Sequence, residues 1–386
     1  MKTSNIIIRI VRKLNTFLFR FNASIFKFPK QSVQEFIHLK KHFETLEPQI
    51  DGAILEKISF FKNLYENSQL RILIQVPTLE FSPGGFSIFS NMIENLNHMG
   101  IPAKPLFFND DTKDVLDRFK PNILLSSDHK AYLDRIDWDT VNTYKQISKL
   151  KVGLTASLEA YGNSPLASRL EWANDHQIDF FYNFRAKEYT DSRAEYHVFR
   201  EFGYSIINME FGVNLLKFSP QLSLKKPYDY LFFGSVNPDK SQRYSDYFGK
   251  IHKNYKGMIY GPGWPWAGEE IPLELQKYYY GLAKVGLNLH LPEQIEWACE
   301  LNERTYILGI CKIPQLIDRP ALLLNRYSEN SMFIATDPEE YLHTFQYILA
   351  NPELAKEKAE YAFMETLEKH TSFHRLESFI KNLESL

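Results

Sequence analysis

Cysteine is nearly missing from this chain: Cys299 and Cys311 are the two it has in 386 residues, and no CxxC pair occurs. That excludes a disulfide scaffold and a structural zinc site, and it fits a reducing compartment. No apolar run reaches the roughly 18 residues that a spanning helix needs. Neither charge sign dominates, with 45 Lys and Arg against 47 Asp and Glu and a net charge of −2. Overall charge therefore makes no case for a nucleic-acid partner. The GxGxxG dinucleotide fingerprint and the GxxxxGK[ST] phosphate loop are both absent, as are HExxH, GxSxG and EF-hand spacings.

What is present is aromatic. Phe (30) and Tyr (22) are abundant, and rings of this kind fill cores or offer stacking surfaces for sugars. A chain this long exceeds one ordinary core and reads as two domains.

The first thirty residues depart from the overall charge balance. Lys2, Arg9, Arg12, Lys13, Arg20, Lys27 and Lys30 all precede the first acid, Glu35. At about 100° per residue, Ile7, Ile10, Val11, Leu14, Phe17, Leu18, Phe21 and Ile25 share one face, and five of the cations take the other. Two readings stand: a helix lying in an anionic membrane interface, or one docked on its own domain. Arg9 and Arg12 interrupt the apolar core and no small-residue cleavage site follows, so it is not a signal peptide. The location expected is cytoplasmic, or peripheral at the inner face of the plasma membrane.

After a helical connector to about residue 66, buried β-rich runs alternate with helical ones. Strands are expected at 71–77, 121–128, 150–157 and 178–184, with a helix after the first strand closed by Gly100. Beyond the linker "SLKKP" the pattern restarts at 228–235, with further strands at 257–261, 285–291 and 331–336 and a helix near 273–284. Alternation of this kind predicts α/β doubly wound sheets whose parallel strands are buried on both faces. In such sheets ligands sit beyond the carboxyl ends of the strands.

Four stretches carry candidate chemistry. Gly84-Gly85 lies between a strand and a helix, where a backbone can approach a ligand and helix amides can receive an anion, or where a plain turn is needed. Gly234-Ser235 ends a buried strand ahead of Lys240 and Arg243, cations suited to a diphosphate or merely solvated. Asp137 and Asp139 have the DxD spacing of a metal site, but Asp139 reads better as a helix cap. His129 follows directly on a buried strand. The loop "YGPGWPW" (260–266) suits sugar stacking or local packing.

Together these pieces resemble the GT-B glycosyltransferases, especially the glycosyltransferase-like family that includes the CgeB proteins. The resemblance is best over roughly 204–380, through "MEFGVNLLKFSP", "YDYLFFGS", "IYGPGW", "YYYGLAKVGLNLHLP", "NERTYILGICKIPQLID" and "EKHTSFHRLESF" in that order. It implies two Rossmann-like domains facing each other across a cleft: an acceptor domain at 67–215 and a nucleotide-sugar donor domain at 216–370, with a last helix at 371–386 crossing back. It further implies donor contacts from Gly84, Gly85, Gly234, Ser235, Lys240, Arg243, Asn302, Tyr306 and Asp318, and catalytic roles for His129, Glu303 and Arg304. Transfer in related enzymes retains anomeric configuration and needs no metal or other cofactor, because basic groups and helix amides stabilise the leaving diphosphate.

The partners implied are a nucleotide-sugar donor, a glycan or lipid-linked acceptor, and an anionic membrane surface through residues 1–30, with no nucleic acid. One departure stands out. The family places a Glu where this chain has Ile307 and a Gly where it has Lys312, so Glu300 or Glu303 would have to substitute. Two alternatives remain open: a sugar-nucleotide epimerase of the same architecture, and a catalytically silent protein that binds glycan or a partner transferase.

Overall fold

The computed structural model describes residues 33–46, 50–158, 165–222, 224–236, 238–261, 264, 271 and 273–386. The basic segment 1–30 and most of the 260–266 loop lie outside them. Described residues divide into two compact units. Leu55–Leu216, Ala298–Glu300 and His370–Leu386 form one; residues up to Ile54, with Lys217–Trp297 and Leu301–Lys369, form the other. Among the described residues no helix is long and apolar enough to cross a membrane.

The first unit is built on six strands: β1 (Ile72–Val76), β2 (Ala103–Phe107), β3 (Ile123–Ser126), β4 (Lys151–Thr155), β5 (Phe180–Asn183) and β6 (Ile206–Asn208). All pair in parallel, in the order β2-β1-β3-β4-β5-β6. β1, β3 and β5 are buried at every position, which is why their sequences read as unbroken apolar runs. β2 escaped the sequence reading because Lys104 and Pro105 interrupt it. It is the edge strand, where a missing N–H and an exposed side chain cost little.

The helix Pro83–His98 starts on an Ser82 side-chain cap and ends near Gly100, whose φ of +93° is open to glycine at small cost. The cap expected of Asp139 is made by Asp137 instead: its carboxylate accepts from Thr140 N and Oγ1, and Asp139 follows in the first turn.

The second unit holds β7 (Tyr228–Phe233), β8 (Gly257–Tyr260), β9 (Ala283–Asn288), β10 (Gln315–Ile317) and β11 (Phe333–Ile334), again all parallel, in the order β11-β10-β9-β7-β8. The helix expected near 273–284 stops at Gly281, and β9 begins two residues later. Phe232, Phe248, Leu287, Leu316 and Tyr341 are among the fully buried side chains of its core.

Both sheets reverse their strand order beside the first strand, between β1 and β3 in one unit and between β7 and β9 in the other. The crevice at such a reversal is where open α/β sheets bind ligands.

Leu308, on the helix Glu303–Ile310, packs directly against the Cα of Gly286 in the middle of β9, and a methyl group on Gly286 would overlap its side chain. The helix is therefore seated on the sheet by a glycine. We expect Gly286→Ala to destabilise the protein by about 1–3 kcal/mol through overpacking. Leu308→Ala should cost about 2–5 kcal/mol through cavity formation. Combined, they should cost clearly less than their sum in denaturant unfolding; full additivity would show that the two residues do not meet.

Candidate functional site

The site of the second unit is assembled at the carboxyl ends of β7, β9 and β10. β7 runs out at Phe233, and Gly234 follows with its N–H donating to Tyr260 O at 2.8 Å and its carbonyl accepting from Trp264 Nε1 at 2.8 Å. Trp264 is 6% exposed and stacks on Tyr244 at 5.9 Å between centroids, so this tryptophan packs the loop rather than offering a free ring. A Cβ on Gly234 would overlap the Arg304 guanidinium, and one on Gly261 (φ +144°) would overlap the Gly234 carbonyl. Two glycines thus let two loops and an arginine meet at one point. Ser235 beyond them is exposed, and Lys240 lies in the first turn of the helix Pro238–Asn254.

Arg304 is the second residue of the helix Glu303–Ile310. Its guanidinium lies 4.1 Å from the Phe232 ring centroid, donates from Nε to Phe233 O at 2.6 Å, and donates from Nη1 to Asn288 Oδ1 at 3.0 Å. Cation–π contact and two hydrogen bonds fix the plane of the fork before any ligand arrives.

Asn302 caps the helix, with Oδ1 accepting from Thr305 N at 3.2 Å, while Nδ2 donates to Asn288 Oδ1 at 2.9 Å and Leu289 O at 3.1 Å. Asn288 is wholly buried, and its Nδ2 donates to Thr305 Oγ1 and to Gln315 Oε1. One asparagine at the end of β9 therefore holds both the arginine and the helix cap.

Asp318, at the end of β10, is 1% exposed. Oδ2 accepts from His290 N at 2.7 Å and from Arg243 Nη2 at 2.8 Å, and Oδ1 lies 2.7 Å from His290 Nδ1. Asn302 N donates to His290 Nε2 at 3.3 Å, so the ring carries its proton on Nδ1 and gives it to Asp318. Burial would raise the Asp318 carboxyl, but His290 and Arg243 outweigh it and hold it below the ordinary carboxylate range. Its oxygens are spent on protein groups, so Asp318 positions Arg243 and His290. Arg243 is further held with its guanidinium carbon 4.7 Å over the Tyr247 ring.

Of the other expected residues, Tyr306 is fully buried on the inner face of the helix, 6.1 Å from the Tyr327 ring, and points into the core. Glu300 packs with the first unit, where it is ion-paired to Arg185. That leaves Glu303, which lies on the same helical face as Ile307 and one turn nearer the N-terminus. Burial pushes its carboxyl up to about 7, with Arg304 pulling the other way.

Lys312, at the family's glycine position, has φ of +53°. The lysine thus sits in the left-handed conformation that favours glycine, and its Nζ pairs with Glu360 at 3.0 Å and Asp51 at 3.5 Å.

In the first unit, the loop after β1 ends at Ser82, and Gly84 and Gly85 lie in the first turn of the helix Pro83–His98. A Cβ on Gly85 would lie 2.8 Å from the Tyr132 hydroxyl and 2.9 Å from Ser82 Oγ, whereas one on Gly84 would meet nothing within 4 Å. His129, just after β3, caps the short helix Lys130–Leu133 by accepting Ala131 N at Nδ1, 3.1 Å away. Gly84, Gly85 and His129 therefore belong to the switch point of the first sheet; Gly234, Ser235, Arg304 and Asn302 belong to that of the second.

Asn288, His290, Thr305 and Gln315 were not anticipated. The signal was available in "VGLNLHLP", where Asn288 and His290 interrupt a buried strand at alternate positions and so share one face.

Residues 245–381 match the model of the family described as "Glycosyl transferase-like". No curated protein matches the sequence. Among solved structures, the chain is similar to an alpha-glucosyltransferase in complex with UDP (TM-score 0.59, 12% identity, covering 82% of this chain and 100% of that one). It is also similar to the sucrose-phosphate synthase of Thermosynechococcus elongatus (TM-score 0.54, 12% identity, 82% and 100%). A third likeness is to the T4 phage BGT in complex with its UDP-glucose substrate (TM-score 0.52, 11% identity, 82% and 99%). The chain thus has the two-sheet GT-B fold, and its C-terminal part carries a glycosyl transferase-like domain.

Proposed function

We propose that the chain is a glycosyltransferase that moves a sugar from a nucleotide-sugar donor to a glycan or lipid-linked acceptor in surface-glycan synthesis. The observation that carries this reading is Arg304. It is a guanidinium fixed by three contacts at the ligand-binding end of a parallel sheet, beside an exposed serine and a glycine turn.

In the transfer, the bond from the donor's anomeric carbon to the diphosphate oxygen breaks and its electron pair leaves with the nucleoside diphosphate. A bond forms between that carbon and the acceptor oxygen, and the acceptor proton passes to the leaving diphosphate, with retention of configuration. Charge grows on the diphosphate, so a preorganised cation near it lowers the barrier without a metal. Arg304 supplies that cation; Asn288 accepts from it, and Asn302 donates to the same Asn288 oxygen. Glu303, its carboxyl raised to about 7 by burial, would hydrogen-bond a donor hydroxyl from the helical face it shares with Ile307. His129, whose Nδ1 accepts from Ala131 N, would stand on the acceptor side.

Arg304→Ala is expected to lower donor turnover by about 10²–10³-fold, with the fold retained and the unfolding midpoint lowered by the loss of its three contacts. Turnover within a factor of two of the parent would remove this residue from the chemistry. EDTA is expected to leave the parent rate intact.

Glu303 also predicts a pH dependence of stability. Its folded pKa of about 7 lies above the ordinary 4.5, so the folded state binds the extra proton between these values. Stability should fall as pH rises from about 4.5 to about 7 and then level off. Glu303→Gln should flatten that fall in midpoint-against-pH profiles; parallel profiles for both proteins would refute it.

A further inference from the structure

The loop Thr78–Ser82 at the switch point of the first sheet holds an aromatic ring at the surface. Phe81 is 45% exposed. Single exposed apolar residues are common and need no explanation, but this one is held in a built setting. Its ring centroid lies 5.4 Å from Phe108, 6.0 Å from Tyr132 and 6.5 Å from His129, and Arg135 Cζ lies 5.9 Å from it.

The loop is closed by Thr78, whose hydroxyl accepts Phe81 N at 3.3 Å and whose carbonyl accepts Ser82 N at 3.1 Å. Tyr132, beneath it, is pinned from the sheet, because its carbonyl accepts Gln75 Nε2 at 3.0 Å. Gly84, three residues on, faces open space. The setting thus combines a fixed aromatic ring with the Arg135 guanidinium over one face, a backbone that a ligand can approach, and Glu80 and His129 alongside.

We propose that Phe81 is the platform on which a pyranose ring of an acceptor carbohydrate lies, with His129 beside it. The inference rests on the glycosyltransferase reading only for the word acceptor. A pyranose has an apolar C–H face and a hydroxyl edge. The face matches the exposed ring, and the edge matches the charged groups of Glu80 and Arg135 beside it. An isoprenoid chain would want a continuous apolar surface, and Glu80 and Arg135 interrupt one here.

The test uses the full chain and saturation-transfer NMR with the methyl glycosides of glucose, galactose, mannose and N-acetylglucosamine, and with farnesyl phosphate. At least one glycoside should show transfer strongest at the protons of a single ring face. Phe81→Ala should weaken its affinity about tenfold, and Phe81→Trp should keep it. The thermal shift given by UDP-glucose or GDP-mannose should be the same in all three proteins, which separates this site from the donor site.

No glycoside signal in the parent protein, a signal indifferent to Phe81→Ala, or binding of farnesyl phosphate alone would each overturn the proposal. If glycosides bind through Phe81 but no nucleotide sugar shifts the melting point, the platform stands and the transferase reading falls.

Discussion

The second unit depends on one close contact, the Arg304 guanidinium lying against the Cα of Gly234 and flat on Phe232. Every neighbouring feature serves that contact. Gly234 and Gly261 lack side chains because there is no room for them, and Trp264 ties the Gly234 carbonyl. Asn288 turns its oxygen to Nη1 of Arg304 and to Nδ2 of Asn302. Gly286 allows the helix bearing Arg304 to sit down on β9. A flexible cation at this place would lose rotamer entropy on meeting an anion; this one has already been ordered by the fold.

Beneath it lies a buried polar network rather than an apolar plug. Arg243 and His290 both donate to Asp318, Arg243 Nε is buried without a hydrogen-bond partner, and Asn288 links Thr305 and Gln315. The bonds these members do make fix one geometry. The first unit has the same strand order and a different lining at its switch point: rings of Phe81, Phe108 and Tyr132, with His129 at the edge. Shared topology gives each unit a crevice at its switch point, and the side chains lining the two differ.

Most of the architecture was legible because strands buried on both faces leave apolar runs that helices do not imitate at that length. β2 and β10 were not legible. The first is an edge strand broken by Lys104 and Pro105, and the second is three residues long inside a segment dominated by a helix. In the site, Arg304 and Gly234 could be read, since a strand–glycine turn and a polar helix head are local signals. The roles of Asp318 and Tyr306 could not: both are polar and near the motif, but burial turns one inward to Arg243 and His290 and the other into the core. Glu300 was equally ambiguous, since its partner Arg185 lies 115 positions away in sequence. Lys312 shows the converse, a left-handed backbone conformation that favours glycine taken up by a lysine.

The central claim is that Arg304 and the Gly234-Ser235 turn receive a diphosphate. A crystal structure of the full chain with a bound nucleoside diphosphate tests it most directly. The account predicts diphosphate oxygens about 3 Å from the Arg304 guanidinium and from the backbone or hydroxyl of Ser235. Density for the nucleotide elsewhere, with Arg304 contacting only Phe232, Phe233 and Asn288, would contradict it.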